Sequence, residues 1–328
     1  MSIIEVKNLR KEYKISEKDV GLIGAIKNVF RPKFRTKTAV DDISFSIAEG
    51  EVVGYIGANG AGKSTTIKML TGILTPTSGE VLINGLVPQK NRVRNNKQIG
   101  TVFGQRTQLW WDLPVIESYN LLQNIYEIPK DIFEENLNRF RELLDLDELL
   151  KTPVRQLSLG QKMRCEIAAA FLHNPRVVYL DEPTIGLDVM VKEKIREFIK
   201  TVNKERKVTV ILTTHDMQDI EEVCSRVMFV DYGKVIYDGD LESVKNVLGK
   251  TRTVVFKVKS KSEDLYDVIE KSEGLSLLKE AEDTLEIQFN RETVTATQVI
   301  NIVSPYCEVV DLSIQEVSIE TIVKSLYK

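Results

Sequence analysis

The chain has 328 residues, with 45 Lys and Arg against 48 Asp and Glu for a net charge of −3. That balance supplies no global basic field to attract nucleic acid, and the length suits two domains. No run approaches the ~20 apolar residues of a membrane helix, the first residues lack a signal-peptide core, and Cys165, Cys224 and Cys307 are too scattered for a disulfide framework or a zinc spacing.

In chain order, Tyr13 in LRKEYK comes first, followed at once by an insertion at 14–37. The insertion carries seven cations and two acids, a net +5. Leu22, Ile23, Ile26, Val29 and Phe30 recur in it at helical spacing until Pro32. The spacing predicts a short basic amphipathic helix, fit to lie on a membrane surface, on another subunit or on its own subunit. Gly21 and Gly24 weaken it in isolation. Residues 51–56 (EVVGYI) then read as a buried strand and 64–70 (STTIKML) as the start of a helix. Between them lies GANGAGKST, which fits G-x-x-x-x-G-K-[ST] through Gly57, Gly62, Lys63 and Ser64. Glycines let successive N–H groups face a phosphate chain, and the following helix aims its positive end at the same anion. Lys63 is placed to neutralise β- and γ-phosphates and Ser64 to ligate Mg²⁺. A plain Gly-rich turn is the alternative.

Next come Gln105 in VFGQRTQ and the pair Trp110 and Trp111. Helices are expected through 115–150, with Leu121, Leu122, Ile125, Phe140, Leu143 and Leu144 on apolar faces. Two adjacent tryptophans do not easily bury both rings on one face, so one is a candidate for a partner contact and the alternative is a shared core. LSLGQ follows at 157–161. His173, in FLHNP at a helix end, reads as structural. The run Val177–Leu180 suits a strand buried on both faces of a parallel sheet. Asp181 ends that strand, where ligands bind in open α/β sheets, and is placed to hold magnesium through water. Strand alternation would turn Glu182 to another side, as a general base on attacking water. Two solvated acids in a loop are the alternative. Asp188 closes VVYLDEPTIGLD, and His215 follows the apolar run VTVILTT.

Together these motifs resemble the nucleotide-binding subunits of ATP-binding-cassette (ABC) transporters, over roughly residues 1–245. LSLGQ resembles that family's signature LSGGQ, with Leu159 in place of the first glycine. The resemblance implies an α/β phosphate-loop NTPase of ABC type with a helical subdomain at about 106–160. It implies ATP and Mg²⁺ as cofactors. It also implies a homodimer, or a pair with a similar subunit, in which two ATP molecules are sandwiched head to tail. Ser158, Gly160 and Gln161 would then meet the γ-phosphate bound by the partner, with a helix beginning near Gln161. Tyr13 resembles the adenine-stacking aromatic, with a plain strand aromatic as the alternative. Gly57, Asn59, Gly60, Ala61, Gly62, Lys63, Ser64 and Thr65 form the phosphate cradle. Gln105 resembles the residue that senses magnesium and water, with Gln108 nearby as an alternative. Asp188 resembles the aspartate linking the two sites, and His215 the switch histidine at the γ-phosphate.

Separate transmembrane permease subunits are the expected partner, with the chain peripheral on the cytoplasmic face of the cell membrane and no nucleic acid expected. Polysaccharide-exporter subunits of the family resemble this chain in placing a helix near 14–37. A soluble ABC ATPase acting on ribosomes or nucleic acid is the alternative. The tail, 250–328, reads as strand 252–259, helix 263–272, strands 275–281 and 284–290, helix 294–304, strand 308–315 and helix 318–327. Glu282 to Thr284 reads as the hairpin turn. That order suggests a small α+β, ferredoxin-like unit, dimer-supporting or regulatory, with substrate sensing as the alternative. Residues 311–327 resemble the carboxyl end of drug-export and antibiotic self-resistance subunits, with Val317 where those often have proline. The tail and the Gln105 region together favour export.

Overall fold

The computed structural model describes residues 2–17, 33–104, 106–214, 216–243, 251–262, 264–281 and 283–316. They divide into two compact units, split between Asp238 and Gly239. In the first unit, β1 (Ser2–Glu17) and β2 (Lys33–Ala48) form a long antiparallel hairpin. After β3 (Val52–Gly57), the strand β4 (Ser78–Ile83) pairs with the other side of β1, closing a three-stranded sheet. The expected helix at Leu22–Phe30 lies outside the described residues. The ends of the predicted insertion are strand, because Lys14 pairs with Thr36 and Ile15 with Arg35.

The second sheet has the order β5-β6-β7-β3-β8-β9, with β5 (Ile99–Phe103), β6 (Val177–Asp181), β7 (Thr209–Thr213), β8 (Arg226–Asp231) and β9 (Lys234–Asp240). Its pairs β5–β6, β6–β7, β7–β3 and β3–β8 are parallel. Parallel strands covered on both faces must be apolar throughout, and β3 and β7 are buried at every position. β8 turns into β9 through Tyr232 and Gly233, both at positive φ, the geometry of a tight hairpin turn. Parallel order puts the carboxyl ends of β5, β6, β7 and β3 along one edge. Phe103, Asp181 and Thr213 stand in adjacent register there.

Helix α1 (Lys63–Leu70) follows β3. The helical subdomain contains α2 (Val115–Tyr126) and α3 (Lys130–Leu144), and α4 (Leu159–Phe171) follows it. The long α5 (Val189–Arg206) and short α6 (Met217–Val223) complete the unit. Phe198 of α5 meets Phe140 and Phe171 edge-on, each at 5.2 Å between centroids, so one aromatic knot joins α3, α4 and α5. Leu122, Phe140 and Leu144 are buried. Leu121 and Ile125 are exposed instead, because four-residue spacing puts both on the outer face of α2. His173 stacks on Tyr126 at 4.0 Å, and its Nε2 lies 2.9 Å from the Ile99 carbonyl. Burial pushes this imidazole down to about 4, against the opposing pull of that carbonyl, so it is neutral at physiological pH.

The second unit is α+β. Its antiparallel sheet has the order β11-β12-β10-β13, from β10 (Thr251–Lys261), β11 (Leu275–Glu280), β12 (Thr284–Asn290) and β13 (Cys307–Glu316). Helices α7 (Asp264–Lys271) and α8 (Ala296–Val303) supply Leu265, Ile269, Val299 and Val303 to a core with Val254, Phe256, Leu285, Ile287 and Phe289. Alternate residues of β12 are buried, as the period of a half-covered strand requires. Glu282 of the expected hairpin turn and the expected helix 318–327 lie outside the described residues.

Candidate functional site

The phosphate loop joins β3 to α1. Gly57 is pressed against β8, and a Cβ there would fall 2.2 Å from the Val230 carbonyl oxygen. Gly62 has a φ of 107°, and a Cβ there would lie 2.4 Å from the Ala39 carbonyl oxygen. Both positions therefore require glycine. Gly60 is also left-handed, but a Cβ there would meet nothing within 4 Å, so it opens onto the cleft. As N-cap of α1, Gly62 offers no capping side chain, which leaves the first N–H groups of the helix for an anion. The helix begins at Lys63, one residue before the expected start.

Lys63 is only 6% exposed, and its Nζ donates to the carbonyl oxygens of Gly57 and Ala58. Burial lowers its pKa, while Glu182 and Asp181 act in the opposite direction. The ammonium is thus drawn out of water and held by loop carbonyls. A cleft of about 600 Å³ runs past it, lined by Tyr13, Lys37, Asn59, Gly60, Ser64 and Glu182, a volume within the usual range for ligand pockets. Tyr13 is partly exposed on that wall, with the Lys11 ammonium 5.5 Å from its ring centroid.

A second cavity of about 320 Å³ is lined by Ser64, Gly104, Arg106, Asp181 and Glu182. Asp181 Oδ1 accepts from the Thr213 hydroxyl at 2.6 Å. The Glu182 amide donates to the Thr213 carbonyl at 2.9 Å and to its hydroxyl at 3.1 Å. Glu182 itself has a φ of 57°. Its direction is therefore set by a left-handed turn beyond the strand, and not by strand alternation. Such a conformation is uncommon for a residue with a side chain and persists where neighbours over-determine it. Thr213 does so here.

Behind the acids lies a buried polar network. Asp219 accepts from Thr184, Thr214 and the Arg196 Nε, the last at 2.7 Å. Arg196 also reaches Glu222 and Asp216. The loop after Glu182, the end of β7, α5 and α6 are thereby tied together. Asp219→Ala leaves the buried Arg196 charge with only its two peripheral partners. Breaking a buried pair costs about 3–5 kcal/mol, and the remaining acids place this case near 3. Urea unfolding of the variant measures it, and a loss under 1 kcal/mol would remove the network from the structural account.

Ser158 is the N-cap of α4, which starts at Leu159 and not near Gln161. The Gln161 amide donates to Ser158 Oγ at 3.3 Å, and the Ser158 amide donates to Gln161 Oε1 at 2.9 Å, a reciprocal capping box. Gly160 packs against Val191. Asp188 is the N-cap of α5, accepting from the Val191 amide at 3.0 Å. Ser158 and Asp188 thus fix the starts of two helices whose first turns touch. Leu159, Ile185, Val189 and Met190 around them are exposed. Gln105 and His215 lie outside the described residues. Gln108 is turned to α4, its Nε2 donating to the Glu166 carbonyl.

Residues 40–185 match the family model for the ABC transporter. Over 258 residues the chain is 34% identical to "Uncharacterized ABC transporter ATP-binding protein YhcH" of Bacillus subtilis (strain 168), across 77% of this chain and 82% of that protein. The chain belongs to the ABC transporter ATP-binding family. It is 33% identical to the methionine import ATP-binding protein MetN 2 of Enterococcus faecalis, over 78% of this chain and 70% of that one. Among solved structures, it resembles the dimeric post-hydrolysis state of the ATP-binding cassette MJ0796 bound to ADP and Pi. That match has a TM-score of 0.60 and 28% identity, over 73% of this chain and 98% of the other.

This ABC subunit binds and hydrolyses ATP. Its residues also fit a magnesium ion. The Ser64 and Asp181 side chains line one cavity, and among the described residues no cluster of three or more His, Cys, Asp or Glu is present. A cation held by one hydroxyl, one carboxylate and phosphate oxygens is the sparse arrangement magnesium favours. Sequence reasoning missed Thr213, Arg106 and the Arg196–Asp219 pair. Only the Thr213-Thr214 step at the end of an apolar strand hinted at a polar function there. In this ABC subunit Trp110 and Trp111 are 39% and 53% exposed, so neither ring fills the core. Lys162 Nζ sits 5.2 Å from the Trp111 ring centroid.

Proposed function

We propose that this ABC subunit powers transport through separate transmembrane permease subunits, as an ATP-closed dimer. The observation that carries the ATPase part is the position of Glu182, which borders both the phosphate-loop cleft and the Ser64–Asp181 cavity. ATP lies along the first cleft, its base on Tyr13 and its phosphates on the N–H groups of Asn59 to Thr65. Lys63 exchanges its loop carbonyls for β- and γ-phosphate oxygens. Ser64 and Asp181 hold magnesium, which neutralises phosphate charge when bound. Glu182 takes the proton of the attacking water, and Thr213 keeps the carboxylate aimed. Gln105 and His215 complete the site by the family resemblance.

Exposed Leu159, Ile185, Val189 and Met190 beside Ser158 and Asp188 support a face that a second copy covers. Ser158, Gly160 and Gln161 of one copy then meet the γ-phosphate on the other, a contact that favours closure only while that phosphate is present. Exposed Trp110, Trp111, Leu121 and Ile125 support docking of the helical subdomain on the permease. On this reading the subunit works at the cytoplasmic face of the cell membrane. Export is the favoured direction because residues 311–327 resemble exporter subunits. The Gly239–Lys328 unit supports the dimer or regulates it. The test is affinity capture of tagged Glu182→Gln protein from gently solubilised membranes with ATP and magnesium. A stoichiometric polytopic membrane protein is the expected result. Ribosomal or DNA-bound partners in its absence would overturn the transport reading.

A further inference from the structure

The signature helix α4 carries a glutamate that the ATPase chemistry does not use. Glu166 is 3% exposed, deep on a helix that is otherwise apolar on its inner side. Its two oxygens accept from the Thr107 hydroxyl and, at 3.2 Å, from the Gln108 amide. Gln108 Nε2 returns a bond to the Glu166 carbonyl oxygen at 3.1 Å. One residue earlier, the Cys165 carbonyl accepts from the Tyr119 hydroxyl of α2 at 2.9 Å. Thr107 also accepts from the Leu109 amide at 3.0 Å, and the Trp110 amide donates to Ser118 of α2 at 3.1 Å. The segment 107–110 is therefore stitched to the middle of α4 and to the start of α2.

The first turn of α4 is held differently. Leu159, Lys162 and Glu166 share one face of the helix and border a cavity of about 400 Å³, closed on its other side by Gly104, Arg106 and Gly186. The end of β5 and the Ser158 end of α4 thus face each other across this cavity, while the segment following Gln105 grips α4 two turns further on. Burial raises the pKa of Glu166, and its bonds to Thr107 and Gln108 oppose that rise. A group kept buried against that penalty must be held by those partners.

We propose that Glu166 is a positioning residue that makes the signature helix move with the segment after Gln105, so that ATP-driven displacement of that segment carries Ser158 into its place across the dimer. The inference rests on the closed-dimer reading above. Glu166→Ala removes the acceptor of both bonds, leaving the part-buried Thr107 hydroxyl only the Leu109 carbonyl at 3.4 Å and taking the acceptor from the Gln108 amide. Thr107→Val removes the hydroxyl's bond to Glu166, and with it the acceptor of the Leu109 amide, while keeping the volume. Glu166→Gln keeps both links, because its carbonyl serves the Gln108 amide and its amide nitrogen donates to Thr107. The Thr107 hydroxyl then turns to the Leu109 carbonyl, 3.4 Å away.

The experiment uses the full chain with Glu182→Gln as the parent, and adds each substitution to it. Affinity for ATP is measured at protein concentrations too low for dimers, and ATP-dependent dimer formation by sedimentation with magnesium. Monomer affinity is expected to stay within about threefold of the parent, whereas Glu166→Ala and Thr107→Val need about tenfold more ATP for half-dimerisation. Glu166→Gln restores the parent value. If Glu166→Ala fails to fold, Thr107→Val carries the comparison alone. Dimerisation of Thr107→Val at the parent's ATP concentration overturns the coupling. A parent that stays monomeric with ATP overturns the closed-dimer reading itself, which is a separable failure.

Discussion

Glu182→Gln is expected to bind ATP with near-parent affinity, to turn over about 10²- to 10⁴-fold more slowly, and to accumulate as a closed dimer. The substitution keeps the shape of the side chain and the backbone turn, since the amide bonds to Thr213 are made by the main chain. What it removes is the basic oxygen. Water remains in the site but loses the group that takes its proton, so the loss falls on kcat and not on binding. Because the γ-phosphate survives, the contact that favours closure persists. Steady-state ATPase assays and sedimentation with ATP measure both effects together. Turnover within about threefold of the parent would take Glu182 out of the base role, since general-base catalysis alone is worth far more.

Lys63→Ala is expected to weaken ATP binding about 100-fold or more while leaving the unliganded fold intact. Hydrogen bonds to charged groups contribute about 1.5–3 kcal/mol each, and Lys63 is placed to make two, so about 3 kcal/mol is the lower bound. In the unliganded protein the buried ammonium gains only the carbonyls of Gly57 and Ala58, and burial works against its charge. Removing it therefore relieves desolvation but frees the carbonyls of buried Gly57 and exposed Ala58, terms of opposite sign. Calorimetric titration with ATP measures the first effect and thermal unfolding the second. Unchanged affinity would count against the phosphate cleft, and a collapsed fold would show Lys63 to be structural.

The strand–loop–helix setting of the phosphate loop was legible because each part has a local cause. β3 is apolar without a break, Gly57 and Gly62 sit where a Cβ would strike a carbonyl, and Lys63 opens the helix. The parallel sheet followed from the same kind of pattern. The turn at Glu182 was not legible, since strand alternation stops at Asp181 and Thr213 takes over from another strand, 32 residues beyond Asp181. For the tryptophan pair the two readings were a partner contact by one ring and a core shared by both. Both rings stay partly outside because Leu109, Val115 and Tyr119 already fill the interior nearby. The clamp at Glu166 escaped for a related reason. A glutamate on a helix normally marks a solvated face, and only the fold brings Thr107 and Gln108 over it.

The β1–β2 hairpin has a consequence for tolerance of change. Tyr13 faces Lys37, and four further pairs, from Lys14–Thr36 to Glu17–Lys33, lie between it and residues 18–32. For a chain joining two paired strands, each doubling of its length costs only about 0.6 kcal/mol in closure. Sequence can therefore be gained or lost within 18–32 over evolutionary time without shifting the register of Tyr13.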